Sequence, residues 1–411
     1  MRCWNETFRV NQTVQPRTCV TGRFTFKRRD EPVTTPSNLS HLEHVLDAYR
    51  QAIGRRRHEL TTPALILDLE ILRLNIETMA VWTRTHAKVR PHFKVHKCVE
   101  IARLQVAAGA VGITTATVWE AVAMAHAGFD NILIANEVAG EEKLSRLAAA
   151  ARETNFLVGV DDPEGARELS RAATEAGAQI GVLVDIDIGM RRGGVRSDAE
   201  ACRVAETVSR LPGLLLRGAM GYEGWVVMEP DRAVRAQKAA EAIGRLTATV
   251  ESLERAGFAI EIVSAGGTNT YDMTGAHPRV TELQSGSYAL MDAAYGPLCP
   301  AFKPALTLLG TVVSRHETTA VLDCGTKVVA VDFARPVPMD LCFKVREVHE
   351  EHTLLDVARE HPLQFEDRVE LRVGYCGGTV NLHDVYHVVE RDRVVDIWPI
   401  LARGAGRGSA A

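Results

Sequence analysis

Short apolar runs alternate with helix-type segments from residue 60 onward, and this alternation limits the possible folds. The segments between the runs, such as residues 141–153, are rich in alanine, leucine, arginine and lysine, which are good helix formers. Eight such units are typical of a (β/α)8 barrel, although a doubly wound sheet has the same alternation. We therefore predict an α/β fold with a TIM-type barrel over residues 60–300, whose strands are the runs 64–69, 87–92, 112–116, 131–135, 156–160, 180–185, 214–220 and 260–264.

The pattern changes after residue 306, where long helical patterns stop. Six β-type segments follow, at residues 307–313, 320–323, 341–348, 368–373, 385–390 and 394–398. They predict a second, mainly β domain made of residues 301–403, joined by a helical segment at 41–59. The basic residues 1–40 show no periodicity, and we expect an unstructured arm or a misassigned start of the reading frame. The glycine-rich residues 404–411 predict a flexible tail.

Composition excludes several classes of protein. A formal net charge of -4 over 411 residues argues against a nucleic-acid binder, whose footprint would be basic. The 8 cysteines contain no Cys-x-x-Cys pair, which indicates a reducing, cytoplasmic setting rather than a disulfide framework. No apolar run reaches membrane-spanning length, so we do not expect a membrane as partner. Because of the negative net charge, we do not expect a nucleic acid either.

Residues 90–97, Arg-Pro-His-Phe-Lys-Val-His-Lys, place Lys94 where a strand should end, because Pro91 lacks a backbone donor. The cationic neighbours should lower the pKa of the Lys94 amine, and Schiff-base chemistry requires a neutral amine. A basic surface turn is the simpler alternative. The segment resembles the pyridoxal-phosphate lysine motif of the D-threonine aldolase and D-serine dehydratase family. That resemblance extends over about residues 60–403 and implies that Lys94 and His92 contact this cofactor.

Two further segments at predicted strand ends, residues 187–194 and residues 220–225, resemble the same family. Residues 187–194 match its Asp-x-Gly-x-x-Arg-x-Gly pattern, which implies that Arg192 hydrogen-bonds the phenolic oxygen of the cofactor. Taken alone, these charges would form a solvated ion-pair cluster. The resemblance also implies that Tyr222 lies beside the pyridine ring, although a buried tyrosine bonded to backbone is an equal alternative. Glu223 stands where many D-threonine aldolases have histidine.

Small residues near the last strands predict a phosphate site. Gly266, Gly267 and Thr268 follow the last predicted strand, where barrels often bind phosphate through backbone N–H groups. Residues 282–292 resemble the family's Glu-x-Gln-x-Gly-Ser-Tyr-x-x-Met-Asp stretch. The resemblance implies cofactor contacts for Gln284, Gly286, Ser287 and Tyr288.

The sequence departs from the family near its C-terminus. Metal-dependent members carry a His-x-Cys or His-x-Asp pair before a Thr-Val-Asn-Leu-like segment, and the same register here gives Tyr375 and Gly377. Glycine has no ligand atom and a neutral phenol is a poor one, so we predict no metal. A site rebuilt from Cys376, His383 or Asp384 is the alternative.

The resemblance implies a pyridoxal-phosphate lyase acting on a small amino acid, and we expect a homodimer. Without a metal, dehydration of D-serine lacks a Lewis acid for the hydroxyl group. Cleavage or formation of the Cα–Cβ bond of a D-3-hydroxy amino acid needs only a base, for which we predict Glu223 or His383. Racemisation by Lys94 and Tyr375, or D-serine dehydratase-like deamination, is an alternative. A non-catalytic cofactor carrier is another, but such carriers are single barrels.

Overall fold

The computed structural model describes residues 46–404, which form two sheets. Strands are numbered along the chain: β1 (Ala64–Asp68), β2 (Lys88–Val89), β3 (Ile113–Thr115), β4 (Ile132–Ile134), β5 (Phe156–Val160), β6 (Ile180–Asp185), β7 (Leu214–Met220), β8 (Ile262–Ala265), β9 (Glu282–Leu283), β10 (Leu306–Arg315), β11 (Thr319–Leu322), β12 (Val337–Pro338), β13 (Phe343–Val348), β14 (Thr353–Val357), β15 (Arg368–Arg372), β16 (Val385–Glu390) and β17 (Arg393–Pro399). The predicted arm, residues 1–40, and residues 405–411 of the predicted tail lie outside the described residues.

The first sheet is the predicted barrel. Its eight parallel strands have the order β2-β9-β8-β7-β6-β5-β4-β3. A parallel bridge between His92 and Thr114 closes the sheet, with the Thr114 N–H donating to the Pro91 carbonyl at 2.9 Å. The α/β TIM-type barrel is therefore confirmed. Its helices lie at Leu69–Thr83, Val99–Ala107, Val118–His126, Glu141–Ala150, Pro163–Ala176, Asp198–Arg210, Arg232–Arg255 and Tyr271–Thr274, with a further short helix at Cys376–Val380 beyond the barrel.

One strand assignment was wrong. The run at 64–69 was predicted as the first barrel strand, but β1 pairs antiparallel with β10 and parallel with β16 in the other sheet. The missing barrel strand is β9, which has only two residues. Four of the five residues of β1 are buried, so it reads as a continuous apolar run. Such a run is typical of any strand covered on both faces, which is why its sheet could not be assigned from pattern.

The second sheet forms the mainly β part of the protein, and its strands pair mainly antiparallel. Its nine strands have the order β13-β14-β11-β10-β1-β16-β17, with β15 pairing to both β10 and β12. Leu46, Tyr49 and Ala52 pack against a buried cluster formed by residues of β1, β10, β16 and β17. Because β1 also belongs here, the barrel sequence is inserted between the first and second strands of the β domain.

Polar caps begin the barrel helices directly after the loops at the strand ends. Asp68, Thr117, Asp162, Ser197 and Asp231 each accept a hydrogen bond from a backbone N–H of the first helical turn. These bonds satisfy donors that the helix cannot pair internally. In the described part of the chain, none of the helices has the length and apolar character needed to cross a membrane.

The β domain holds the turn that carries Lys94. The Tyr386 hydroxyl donates to the His96 carbonyl at 2.6 Å, and the Leu401 N–H donates to the Lys97 carbonyl at 2.7 Å. The Lys97 ammonium donates to Glu120 at 2.7 Å. The turn is therefore fixed from both domains, since Glu120 lies in the barrel and Tyr386 in the second sheet.

A buried ion pair joins the two short barrel strands β2 and β9. Arg90 Nε and Nη2 donate to the two carboxylate oxygens of Glu282 at 2.9 and 2.8 Å. Arg90 Nη1 also donates to the Asn131 carbonyl at 2.6 Å. Arg90 and Glu282 are both buried. This two-point contact fixes the strand that leads into the Lys94 turn against the strand that leads into Gly286 and Ser287.

Candidate active site

A cleft of about 720 Å³, counting its open mouth, lies at the C-terminal ends of the barrel strands and reaches the β domain. Most of the residues predicted from the sequence line it together: His92, Lys94, Arg192, Tyr222, Gly266, Gly267, Thr268, Gln284, Gly286, Ser287 and Tyr375. Residues far apart in the sequence meet here because parallel barrel strands all end on one face.

Lys94 lies in the 3-10 turn Phe93–Val95 that follows β2, and its side chain projects into the cleft. The surrounding protein walls desolvate the amine and lower its pKa, and the Arg192 charge lowers the pKa further. The sequence predicts this effect from the cations within residues 90–97. Two of those cations are instead engaged in ion pairs, Arg90 with Glu282 and Lys97 with Glu120.

His92 is a buried imidazole at the cleft wall. Burial lowers its pKa well below the ordinary value, and the charge of Lys94 acts in the same direction. The ring is therefore neutral at neutral pH. Its Nδ1 atom has no hydrogen-bond partner among the described residues, so one polar atom at this wall is free to meet a ligand.

Asp185 was not predicted as a site residue, but it lines the cleft at the end of β6. Burial raises its pKa well above the ordinary range, and a hydrogen bond with Glu137 and the charge of Glu137 raise it further. The Arg192 charge opposes this shift. In the sequence, Asp185 has only Asp187 as a neighbouring carboxylate at the end of the same strand. Glu137 follows another strand, so its proximity to Asp185 could not be predicted.

The two predicted phosphate loops lie against each other. The Tyr288 N–H donates to Thr268 Oγ1 at 3.1 Å and so links the loop after β8 to the loop after β9. Gly266 has a φ of +87°, which favours glycine. A Cβ atom on Gly286 would lie 2.9 Å from the His92 carbonyl oxygen. Only backbone fits at Gly286, which leaves the loop as a concave surface suited to an anion.

Tyr288 itself does not line the cleft, unlike its neighbours Gly286 and Ser287. Its ring is buried, and its hydroxyl accepts a hydrogen bond from Gln105 Nε2 at 3.0 Å. Burial raises the pKa of its phenol. The predicted cofactor contact therefore does not extend to the Tyr288 side chain, which instead packs in the barrel wall.

Glu223 also lies outside the cleft lining, whereas the preceding Tyr222 faces the cleft. Glu223 is completely buried, and its Oε1 atom accepts hydrogen bonds from Thr270 Oγ1 at 2.7 Å and Thr274 Oγ1 at 2.5 Å. Its Oε2 atom accepts from the Gly266 N–H at 3.2 Å. This geometry does not support Glu223 as the base, because the carboxylate is directed at the phosphate loop. Burial raises the pKa of Tyr222 to about 12.

His383 is the other predicted base that the structure keeps out of the cleft. Its Nε2 atom lies 2.7 Å from the Val328 carbonyl oxygen, and burial lowers its pKa. Asp384 pairs with Arg403, and the Cys376 N–H donates to Asp292 at 2.9 Å. Within residues 46–404, no three His, Cys, Asp or Glu side chains converge in the manner of a metal site.

Tyr375 lines the cleft directly before the helix Cys376–Val380, and its ring is near two other aromatic rings. The Tyr295 ring is nearly parallel to it at a centroid distance of 6.3 Å, and the Phe333 ring lies at 4.5 Å. Burial raises the pKa of both phenols. Tyr295 was missed from the sequence, although it follows the Met291-Asp292 pair closely and its N–H donates to Asp292 at 2.8 Å.

Matches to two protein-family models define the class of this protein. Residues 67–293 match the family model described as alanine racemase, N-terminal domain. Residues 305–389 match a model described as putative serine dehydratase domain. The two matches coincide with the barrel and with most of the second sheet. The protein is thus an alanine racemase-like barrel combined with a serine dehydratase-type β domain.

Relatives of nearly full length narrow the class. The chain is 37% identical over 358 residues to D-threonine aldolase of Arthrobacter sp., covering 84% of this chain and 93% of the relative. It is 34% identical over 367 residues to 3-hydroxy-D-aspartate aldolase of Paracoccus denitrificans (strain Pd 1222), covering 86% and 95%. The crystal structure of D-threonine aldolase from Filomicrobium marinum has a TM-score of 0.83 at 36% identity, covering 86% of this chain and 98% of that chain. The chain belongs to this family of D-threonine and 3-hydroxy-D-aspartate aldolases.

The cofactor of this family is pyridoxal phosphate, and the residues of the cleft fit it. Lys94 supplies an amine with a lowered pKa, and Arg192 supplies a fixed positive charge. The two glycine-containing loops form a concave backbone surface for the phosphate, and His92 Nδ1 is an unpartnered polar atom at the wall. The cofactor carries an aldehyde, a phenol and a phosphate. The amine can react with the aldehyde, the cation can pair with the phenol oxygen, and the backbone surface can bind the phosphate.

Proposed function

We propose that the protein is a pyridoxal-phosphate lyase that cleaves the Cα–Cβ bond of D-3-hydroxy amino acids, or forms it in the reverse direction. The observation that carries this proposal is the convergence of Lys94, Arg192 and both glycine loops in one cleft, in a chain whose nearly full-length relatives include two aldolases. Cleavage gives glycine and an aldehyde, with the β-hydroxyl proton removed and a proton returned to Cα.

Each residue of the cleft has a proposed role that follows from its position. When bound, pyridoxal phosphate supplies an electron sink for the electrons left at Cα. Lys94 would hold the cofactor through its amine, Arg192 would stabilise the phenolate oxygen, and Gly267, Thr268, Gly286 and Ser287 would hold the phosphate. Of the side chains that line the cleft, Lys94 carries an amine whose pKa is lowered by desolvation and by the Arg192 charge, and an amine can accept a proton once it is neutral. We therefore propose Lys94, rather than Glu223 or His383, for the proton transfers.

The lining of the cleft supports a substrate with a neutral side chain. Among the described residues that line it, the basic ones are His92, Lys94 and Arg192, and all three serve the cofactor in this proposal. Tyr295, Tyr375 and the adjacent Phe333 leave an aromatic surface for the substrate side chain. The charge of Asp332 acts on the Tyr375 phenol and would repel a second carboxylate.

A substrate panel tests the proposal. The holoprotein is incubated with D-threonine, with its 3-phenyl analogue and with 3-hydroxy-D-aspartate, and glycine, aldehyde, keto acid and enantiomer are all measured. We expect glycine and aldehyde, with the neutral substrates preferred. A keto acid would indicate dehydration, whereas the enantiomer alone would indicate racemisation by Lys94 and Tyr375, which share the cleft. A visible spectrum unchanged by every amino acid would indicate a carrier.

Two controls sharpen the panel. Borohydride reduction of the holoprotein followed by peptide mapping should label Lys94, and label on Lys97 or Lys327 would contradict the assignment. Asp332→Asn should raise kcat/KM for 3-hydroxy-D-aspartate relative to D-threonine by roughly threefold, since one repulsive charge is removed. Asp340→Asn, an exposed carboxylate of the same segment, should leave the ratio unchanged.

We also propose that the protein is a homodimer. Beside the cleft, the segment that carries Phe333 exposes several apolar side chains, and Phe333 and Leu341 are 53% and 82% exposed. Such a patch on a single chain marks an interaction surface. Leu341→Lys should shift the mass measured by light scattering toward the monomer, whereas Leu74→Lys, on an exposed helix face elsewhere, should not. We propose a cytoplasmic location because the cysteines of the described residues are free thiols.

A further inference from the structure

We infer that Glu223 is a positioning residue, which fixes the phosphate-binding loop from behind and contacts neither cofactor nor substrate. All three of its hydrogen-bond donors belong to the segment from Gly266 to Thr274, which contains the first phosphate loop. The inference rests on the cofactor placement proposed above.

The contacts transmit the position of the carboxylate to the loop backbone. The Thr270 hydroxyl donates its proton to Glu223 Oε1 at 2.7 Å, so its oxygen is left as an acceptor. The Gly267 N–H donates to that oxygen at 3.0 Å. Glu223 Oε2 accepts from the neighbouring Gly266 N–H at 3.2 Å. The carboxylate therefore determines the orientation of two consecutive peptide groups, one directly and one through Thr270.

The side of the loop that faces the cleft is held by the residue before Glu223. A Cβ atom on Gly267 would lie 3.4 Å from Cε2 of Tyr222, so the ring lies beside this face of the loop. Tyr222 lines the cleft, and Glu223 points the opposite way into the protein. The loop is thus held between two consecutive side chains at the end of β7.

The carboxylate is suited to this task because its charge has no competing partner. Within residues 46–404, no lysine, arginine or histidine forms an ion pair with Glu223. A buried carboxylate that accepts several hydrogen bonds forms charge-assisted contacts, which are shorter and stronger than neutral ones. The 2.5 Å contact with the Thr274 hydroxyl is of this kind. Removal of the charge should therefore loosen the loop.

Cofactor titration of the full-length apoprotein tests the inference. For Glu223→Gln, we expect the Kd for pyridoxal phosphate, measured by absorbance or fluorescence, to rise by about tenfold or more, since hydrogen bonds to a charged group are lost. At saturating cofactor, kcat should stay within about threefold of wild type, because no reacting atom contacts Glu223. The titration reads binding alone, so it remains informative even if the aldolase assignment fails.

Thr274→Val provides a second route that keeps the carboxylate and removes one donor. Its Kd should change in the same direction by a smaller factor, and it serves if Glu223→Gln does not fold. Asp198→Asn is the matched control, because Asp198 accepts from the hydroxyls of Thr249 and Ser252 at 2.9 and 2.6 Å away from the cleft. Its cofactor Kd should equal that of wild type.

Two results would overturn the inference. A wild-type cofactor Kd in both Glu223→Gln and Thr274→Val would show that the loop does not depend on these contacts. A loss of kcat of about a hundredfold at saturating cofactor, with Kd unchanged, would show that Glu223 takes part in proton transfer.

Discussion

The Tyr375 phenol lies directly over Gly377. A Cβ atom on Gly377 would approach Tyr375 Oη to 3.0 Å and Cζ to 3.1 Å. These are the two positions at which the sequence register with metal-dependent relatives places a pair of ligands. The ring therefore occupies space beside a residue that offers no ligand atom.

We predict that activity is independent of divalent metal, because a neutral phenol with a raised pKa is a poor ligand and glycine has none. Treatment with EDTA should leave the rate of aldehyde formation unchanged. Loss of activity that Mn²⁺ or Zn²⁺ restores would contradict the prediction. The combined variant Tyr375→His with Gly377→Cys supplies two ligand side chains, and equilibrium dialysis should detect added Zn²⁺ binding by it and little by wild type.

The lowered pKa of Lys94 predicts the pH dependence of cofactor capture. A lower pKa makes the amine neutral, and so reactive, at lower pH. When apoprotein is mixed with pyridoxal phosphate, the rate should rise with pH through a midpoint below 10.5, the ordinary lysine value. In Arg192→Gln the midpoint should move to higher pH, since one repelling cation is lost. Arg191→Gln should not move it, and a downward shift in Arg192→Gln would refute the electrostatic explanation.

Gly286 should be required for cofactor affinity. In Gly286→Ala the new Cβ would lie 2.7 Å from Val95 Cγ2 and 2.9 Å from the His92 carbonyl oxygen, so the loop must shift. We expect the cofactor Kd to rise severalfold with little change in the melting temperature of the apoprotein. Gly244→Ala is the control, because its Cβ meets nothing within 4 Å on the helix Arg232–Arg255. It should stabilise the fold by up to ~1 kcal/mol and leave Kd unchanged.

The Arg90–Glu282 ion pair should be important for folding rather than for chemistry. Arg90→Ala leaves the Glu282 carboxylate buried without a partner, which costs about 3–5 kcal/mol of unfolding free energy. Urea unfolding of the apoprotein measures this loss. Arg210→Ala removes an exposed pair with Glu206, whose side chains are 75% and 51% exposed, and should have little effect. A similar stability for both variants would mean that water reaches Glu282.

Residues within short motifs were predictable from sequence, because each motif sits at a strand end and barrel strands end on one face. This holds for Lys94, Arg192 and Gly286, which all line the cleft. The direction of a side chain after the strand end was not predictable, since it depends on the turn. Tyr222 and Glu223 are consecutive, yet only Tyr222 faces the cleft.

Contacts between the two domains could not be predicted from the sequence either. Tyr375 could be aligned with a metal ligand, but its neighbours Tyr295 and Phe333 come from separate segments that only the fold brings together. The lowered pKa of Lys94 was predicted with the correct direction, but its sources are desolvation and Arg192 rather than residues 90–97. Both cases depend on tertiary distance, which periodicity and local composition do not encode.

The insertion of the barrel into the β domain has a consequence for synthesis of the chain. β1 emerges from the ribosome early, but its two partners are Leu306–Leu309 of β10 and His387–Val389 of β16, which are translated after the whole barrel. Until then, both edges of an apolar strand have no partner, and such edges favour aggregation. A chain that stopped at the end of the barrel would retain this exposed strand permanently.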